Sequence, residues 1–364
     1  MTPNENHDDA DTNHDASEPL ADHLRRYVRQ ISFPPIGIAG QQRLIDARVL
    51  ICGCGALGSV IANTLVRAGV GHVRLVDRDF LELNNLQRQV LFDEQDVEAG
   101  LPKAIAAANR LKAINSQVEI EPIVADVDHK NIRALCDSVD MILDGTDNFE
   151  TRFLLNDASI KFNIPWVYGG CLGASGQTMT IIPGQSACLQ CLMIDGPPPP
   201  GTTPTCDTAG IISPIINVIA SLEANEAIKI LSGNSDQASR HLNVFELWDN
   251  RFRQIDLSNL RASVDCPACQ RKEFPWLEGK RGSHTAVLCG RNSVQLTFPE
   301  QVSWSLDEMG KKLSQVGVVK QNRFMLRCEL ERHVLTLFPD GRAIISGTEE
   351  IAEAKTLYAK YVGN

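Results

Sequence analysis

The sequence predicts a doubly wound, mostly parallel α/β sheet of Rossmann type, and three observations carry that expectation. The first is a strand–turn–helix–strand unit. An apolar run at residues 49–52 enters Gly53-Cys54-Gly55-Ala56-Leu57-Gly58, a G-x-G-x-x-G turn in the context that gives the motif its meaning. A helical pattern with Val60, Ile61, Thr64, Leu65 and Ala68 on one face follows and stops at Gly69, and a second strand at 73–76 ends in Asp77. The second observation is Asp77 itself, about 20 residues beyond the turn, where an acid for a ribose hydroxyl is expected. The third is the alternation that continues downstream: apolar strands at 118–124 and 139–143, helical patterns at 104–114, 132–136 and 151–162. Such alternation builds parallel sheets.

The 364 residues allow two domains. With 43% apolar residues the chain can bury a substantial core. A net charge of −10 excludes the electrostatic footprint of a nucleic-acid binder or of an anionic-membrane binder. No apolar run is long enough for a membrane span. Residues 1–20 form an acidic, polar tail without the basic start and apolar core of a signal peptide. Eleven cysteines, four of them in the CxxC pairs Cys188/Cys191 and Cys266/Cys269, read in this context as metal or thiol chemistry in a reducing cytoplasm.

Residues 21–48 carry a helical pattern broken by Phe33-Pro34-Pro35 and Gly37. Arg29 within it reads on spacing alone as a solvated surface charge. In the turn, Gly53, Gly55, Ala56 and Gly58 bring backbone N–H groups toward a phosphate at the positive end of a helix. After Asp77 comes Asn84-Asn85-Leu86-Gln87-Arg88-Gln89, just past a strand's C-terminal end, where doubly wound sheets bind ligands. A nicotinamide enzyme needs no Arg there, whereas an enzyme handling a triphosphate does. Gly100-Leu101-Pro102 places Lys103 in the first turn of the next helix. A cation there opposes the helix dipole and points to an anionic ligand, with a solvated lysine as the alternative. The strand at 139–143 ends in Asp144-Gly145-Thr146-Asp147-Asn148. Its two carboxylates suit a Mg²⁺ shared with phosphate, and an Asx turn with Asn148 as helix cap is the competing reading.

Further strands are expected at 166–169, 178–182, 242–247 and 251–257. Residues 195–206, with four consecutive prolines, make an irregular loop that delivers Cys206 to the start of a long apolar helix at 211–231. A thiol at a helix N-terminus is a candidate nucleophile, and a small buried hydrophobe is the alternative. Cys188, Cys191, Cys266 and Cys269 read as a four-thiolate structural zinc site, with four unrelated cysteines as the alternative. Residues 271–285 read as a charged linker, followed at 286–364 by a small α+β domain in the order β-α-β-β-β-α.

Taken together these motifs resemble the ThiF/MoeB/HesA adenylyltransferases of the ubiquitin-activating superfamily. The resemblance covers about residues 24–270 and rests on RYVRQ, GCGALG, LVDRD, NNLQRQ, GLPK, DGTDN, TCDTAG and both CxxC pairs, in that order. It implies that Asp77 binds the ribose, that Asn85, Arg88 and Lys103 hold the triphosphate, and that Asp147 binds Mg²⁺. The surrounding Asn84, Leu86, Gln87 and Asn148 would complete the ATP site. It implies that Arg29 reaches the neighbouring subunit's nucleotide site, hence a homodimer. Cys206 matches the cysteine of covalent sulfur transfer, and the paired cysteines match the zinc ligands. The implied partner is a ubiquitin-like sulfur carrier, ThiS- or MoaD-like, with a cysteine desulfurase as a candidate donor. Two departures stand out: Ala56 replaces a glycine frequent in the turn, and the tail lacks a rhodanese-like Cys-centred loop. The C-terminal extension favours a thiamine-type carrier over a molybdopterin-type one. A tRNA-base dehydratase, a nucleotide-binding regulator and a dehydrogenase are the remaining alternatives.

Overall fold

The computed structural model describes residues 20–198, 206–281, 285–288, 292–296, 305–339 and 341–363. A short helix α1 (Val28–Ile31) and α2 (Gly37–Asp46) lead into β1 (Arg48–Cys52), α3 (Ala56–Ala68) and β2 (His72–Val76). Next come α4 (Glu94–Glu98), α5 (Lys103–Ile114), β3 (Glu119–Ile123), α6 (Ile132–Leu135) and β4 (Met141–Asp144). Helix α7 (Phe149–Phe162) precedes β5 (Trp166–Leu172), β6 (Ser175–Ile181), α8 (Leu189–Leu192), α9 (Cys206–Ala209) and α10 (Ser213–Leu231). Strands β7 (His241–Glu246) and β8 (Arg251–Asp256) and helix α11 (Leu260–Ser263) complete the large unit.

The eight strands lie in the order β3-β2-β1-β4-β5-β6-β7-β8. The first five are parallel, and β6 to β8 add on antiparallel. The chain leaves β1 toward β2 and β3 on one side, then returns to lay β4 on the other. That reversal opens a crevice beyond the C-terminal ends of β1 and β4, the place where such sheets take ligands. Strand β1 is buried from Val49 to Cys52 on both faces, which is why it reads as a continuous apolar run. One core, with α3, α5 and α10 packed on the sheet, covers one face; α7 and the cysteine knuckles cover the other. The stretch expected as a linker carries Phe274 and Trp276 into that second core, with Trp276 against Phe153 of α7 at 5.4 Å between ring centroids.

The C-terminal unit contains β9 (Thr285–Leu288), β10 (Ser293–Leu296), α12 (Leu306–Leu313), β11 (Val318–Gln321), β12 (Leu326–Glu329), β13 (Val334–Leu337), β14 (Ala343–Ser346) and α13 (Ile351–Tyr361). Its strands form an antiparallel sheet in the order β11-β12-β13-β14-β10-β9. The sequence pattern missed β9 and β11. These are the two edge strands, and β11 is exposed at three of its four positions, so it lacks an alternating apolar signal.

No described helix is long and apolar enough to cross a membrane.

Candidate functional site

The crevice is built where three glycines let backbones meet. Gly53 follows β1 with φ +91°, and Gly145 follows β4. A Cβ on Gly58 would lie 1.9 Å from the Gly53 oxygen, and one on Gly145 would lie 2.4 Å from it. Only glycine permits that packing. Gly55 differs: a Cβ there would meet only Gln89 Nε2, at 4.0 Å, so its open side faces the crevice. Helix α3 begins immediately after, at half-buried Ala56, with no side chain capping its first turn. The free N–H groups and the dipole of a thirteen-residue helix favour an anion there.

Asp77 at the end of β2 is buried. Its Oδ2 accepts the Cys54 N–H at 2.6 Å and its Oδ1 accepts the Asp79 N–H at 2.7 Å. It therefore ties the glycine turn to the strand end. Burial pushes its carboxyl up, with Lys103 pulling it back. Lys103 is only 3% exposed and donates from Nζ to Asp79 Oδ2 at 3.0 Å, which overturns the solvated-lysine alternative. The segments are stitched together: Lys103 N–H donates to the Asp79 oxygen, and Phe80 bridges Pro102.

A 3₁₀ turn at Leu83–Asn85 forms the next wall. Buried Asn85 donates to Asn84 Oδ1 at 2.7 Å and accepts from the Glu82 N–H. Arg88 donates to the Asn84 carbonyl at 2.9 Å and has no acidic partner among the described residues. Leu86 packs on the core, while Gln87 is exposed.

The expected carboxylate pair after β4 divides in two. Asp144 is fully buried: its Oδ1 accepts from Thr146 N–H and Oγ1, and its Oδ2 accepts from Arg152 Nε at 3.1 Å. Asp144 is therefore a structural anchor and is not available to a metal. Asp147 is exposed at the crevice end of the loop. Asn148 caps α7, accepting the Thr151 N–H at 2.8 Å. Arg152 also donates to the Thr146 and Gly169 carbonyls at 2.8 and 2.9 Å, so one guanidinium holds the whole loop. Glu223 of α10 lies buried behind it, its carboxyl pushed well up by burial and by Asp144.

Arg78 was not legible in advance; its only sequence signal is a lone cation between two aspartates. It donates to Asp126 Oδ1 at 2.7 Å and lies 3.6 Å from Asp79. Burial works to lower its pKa, and Asp126, Asp79 and Asp147 more than offset this and hold it charged.

The two CxxC pairs do converge. Sγ–Sγ distances are 3.7 Å (Cys188–Cys191), 3.5 Å (Cys188–Cys266) and 3.4 Å (Cys191–Cys269), all four buried. Four sulfurs around a tetrahedral zinc at ~2.3 Å stand about 3.8 Å apart, so the donor set and spacing suit that ion. Helix α7 orients the knuckles: Asn156 accepts the Leu189 N–H at 2.9 Å, and Asp157 accepts from Gln190 and from the Trp276 N–H.

Two expected residues sit on other elements, α1 and α9. Arg29 on α1 is exposed, without a partner among the described residues, beside exposed Val28, Phe33 and Ile38. Cys206 does not begin the long helix. It starts the separate turn α9, and Gly210 with φ +73° breaks the chain before α10. The proline-rich residues 199–205 lie outside the described residues.

The model of the ThiF family matches residues 27–268. The chain is 44% identical over 339 residues to the sulfur carrier protein ThiS adenylyltransferase of Bacillus subtilis, spanning 93% of this chain and 99% of that protein. It is 37% identical over 251 residues to the sulfur carrier protein adenylyltransferase of Thermus thermophilus, spanning 68% of this chain and 90% of the relative. Among solved structures, E. coli MccB with ATP shares the fold at a TM-score of 0.58 and 23% identity, over 67% of this chain and 74% of that one.

Proposed function

The chain belongs to the ThiF family, and we propose that it uses ATP to adenylylate the C-terminal glycine carboxylate of a ThiS-type sulfur carrier, for sulfur delivery in thiamine biosynthesis. A carboxylate oxygen of the carrier attacks the α-phosphorus. The bond from that phosphorus to the bridging oxygen breaks, and pyrophosphate leaves with the electron pair. The product is an acyl-adenylate whose carbonyl is open to sulfur. Two anions must approach, so the protein's task is to neutralise charge and hold the reactants in line.

The residues of the crevice suit that task. The uncapped start of α3 and the open side of Gly55 receive phosphate oxygens. Asp77 has lone pairs left for a ribose hydroxyl. Arg88 and Lys103, with Asn85 as the wall between them, hold the triphosphate. Asp147 is the exposed carboxylate suited to share a Mg²⁺ with phosphate, and the ion supplies charge neutralisation there. Zinc in the four-cysteine cluster is structural, because all four donor positions are protein thiolates and none is open. Arg29, set among exposed apolar side chains, is suited to reach a second copy of the chain and complete its site, as a homodimer requires. Cys206 serves the later sulfur transfer, for which a cysteine desulfurase is a suitable donor.

The observation that carries the ThiS-type reading is reach. The 44% identity runs through the C-terminal sheet over 93% of the chain, whereas the Thermus relative matches 68%. The test is ATP–pyrophosphate exchange with purified carriers. Exchange stimulated by a ThiS-type carrier supports the reading. Stronger stimulation by a MoaD-type carrier moves the enzyme to molybdenum-cofactor synthesis, and no exchange with either refutes it.

A further inference from the structure

The family model ends at residue 268, before the C-terminal sheet begins. Yet that sheet contacts the segments around the crevice at three places, through Asp126, Phe80 and Gly100. At the first, Gln295 of β10 donates from Nε2 to Asp126 Oδ2 at 2.9 Å, and Arg342 Nη1 lies 3.5 Å from the same oxygen. The other oxygen of Asp126 holds Arg78. At the second, the Phe338 ring packs on Phe80 at 5.4 Å between centroids, and the Arg342 guanidinium lies over the Phe338 ring at 4.7 Å. Phe80 lies next to Asp79 and bridges Pro102, next to Lys103. At the third, Asn322 in the β11–β12 turn donates from Nδ2 to the Gly100 carbonyl at 2.9 Å, three residues before Lys103.

Phe338 and Arg342 are buried, at 1% and 5% exposure, so this is a packed contact. Its position is informative. In a doubly wound sheet the nucleoside lies across the ends of β1 and β2, with its ribose on the acid that ends β2. Arg78 and Phe80 follow β2, and Asp126 follows β3. The sheet therefore grips the two segments that flank the nucleoside end.

We propose that the C-terminal sheet is a positioning element for the nucleotide. Through Gln295 and Arg342 it fixes Asp126, and so Arg78. Through Phe338 and Asn322 it fixes the stitched segments that present Asp79 and Lys103. Arg342, Gln295 and Asn322 are positioning residues, since each acts on the site through another group. The inference rests on the adenylation reading for its ligand, and on the contacts above for everything else.

The test uses the full-length protein and a non-hydrolysable ATP analogue with Mg²⁺, measured by calorimetry without carrier. Arg342→Met and Asn322→Asp are compared with wild type; the second keeps the Asn322 acceptor that orders its own turn and replaces the donor to Gly100 with an anionic oxygen that repels its carbonyl. Both are expected to weaken analogue binding about three- to thirtyfold, the range of coupling carried through packed neighbours. In exchange assays KM for ATP should rise in step, with KM for carrier within twofold, and Arg342→Lys should recover part of the loss. Analogue affinity within twofold of wild type in both variants overturns the inference. Equal increases in KM for ATP and for carrier overturn it too, because that is general loosening. If wild type binds the analogue but no carrier supports exchange, the functional reading fails while the inference stands. If wild type binds no adenine nucleotide, both fall.

Discussion

Replacing Arg152 with Met should show how the Asp147 loop is held. Among the described residues Arg152 is the cation paired with fully buried Asp144, and it also donates to the carbonyls of Thr146 and Gly169. Met keeps much of the side chain's volume and removes every donor. Asp144 is left with the hydrogen bonds of Thr146, facing Glu223 from α10 and Tyr168 from β5. Breaking a buried pair in this way costs roughly 3–5 kcal/mol. The cost should depend on pH. Burial pushes the Asp144 carboxyl up, and Arg152 pulls it back. Without the guanidinium the folded-state pKa climbs further, while the unfolded value stays ordinary. A carboxyl raised in the folded state contributes stability in full below its unfolded pKa and loses it as pH rises through the folded pKa. The variant should therefore fall further behind wild type as pH rises, by about 1.4 kcal/mol per unit, between the folded pKa with Arg152 and the higher one without it. Urea unfolding at several pH values reads this directly. Asp144→Asn combined with Arg152→Met should recover much of the loss, since no unpaired charge remains. A loss under about 1 kcal/mol that is flat with pH, or a double variant no better than the single, refutes the argument.

Three further outcomes are expected. Asp147→Asn should fold normally and lower carrier-dependent exchange by about a hundredfold or more, the scale of removing one electrostatic stabiliser; near-normal exchange would remove Asp147 from the site. Freshly purified, reduced protein should hold one zinc per chain with Zn–S near 2.3 Å by X-ray absorption, and Cys266→Ser should lower both zinc content and thermal stability; a zinc-free but fully stable wild type would refute the assignment. Cys206→Ala should keep ATP–pyrophosphate exchange and lose thiocarboxylate formation, as measured on one preparation, and loss of exchange with the fold intact would place Cys206 in the first half-reaction.

The parts of this site that were legible in the sequence are those whose chemistry is local. The glycine turn, Asp77 and the cysteine pairs announce themselves because each needs a fixed residue type within a few positions. Burial was less legible. Lys103 reads as a surface lysine until the stitching of Asp79 to Pro102 encloses it. Asp144 and Asp147 read as a pair until Arg152, eight residues from Asp144, takes one of them into the core. Arg78 and Asp126 meet only because β2 and β3 are neighbours, and Gln295 meets Asp126 across 169 positions. No local pattern encodes such meetings. Helix α7 hid its role for a related reason. It carries Arg152, Asn156 and Asp157 among buried apolar residues, so its pattern lacks a clean polar face, and those three side chains serve two different neighbours.

That double service has a practical side. The same helix whose first turn is capped by Asn148, next to Asp147, grips the cysteine knuckles two turns later through Asn156 and Asp157. Removing a zinc held there as proposed would unseat the far end of a helix whose near end carries Asp147, the carboxylate proposed to share Mg²⁺ with the triphosphate. A sample stripped of zinc but resupplied with Mg²⁺ is expected to stop turning over ATP. Loss of turnover that Mg²⁺ alone does not restore and zinc does is therefore the signature expected of a remote hinge-pin, and metal titrations of turnover alone would mislabel it as a reactive centre.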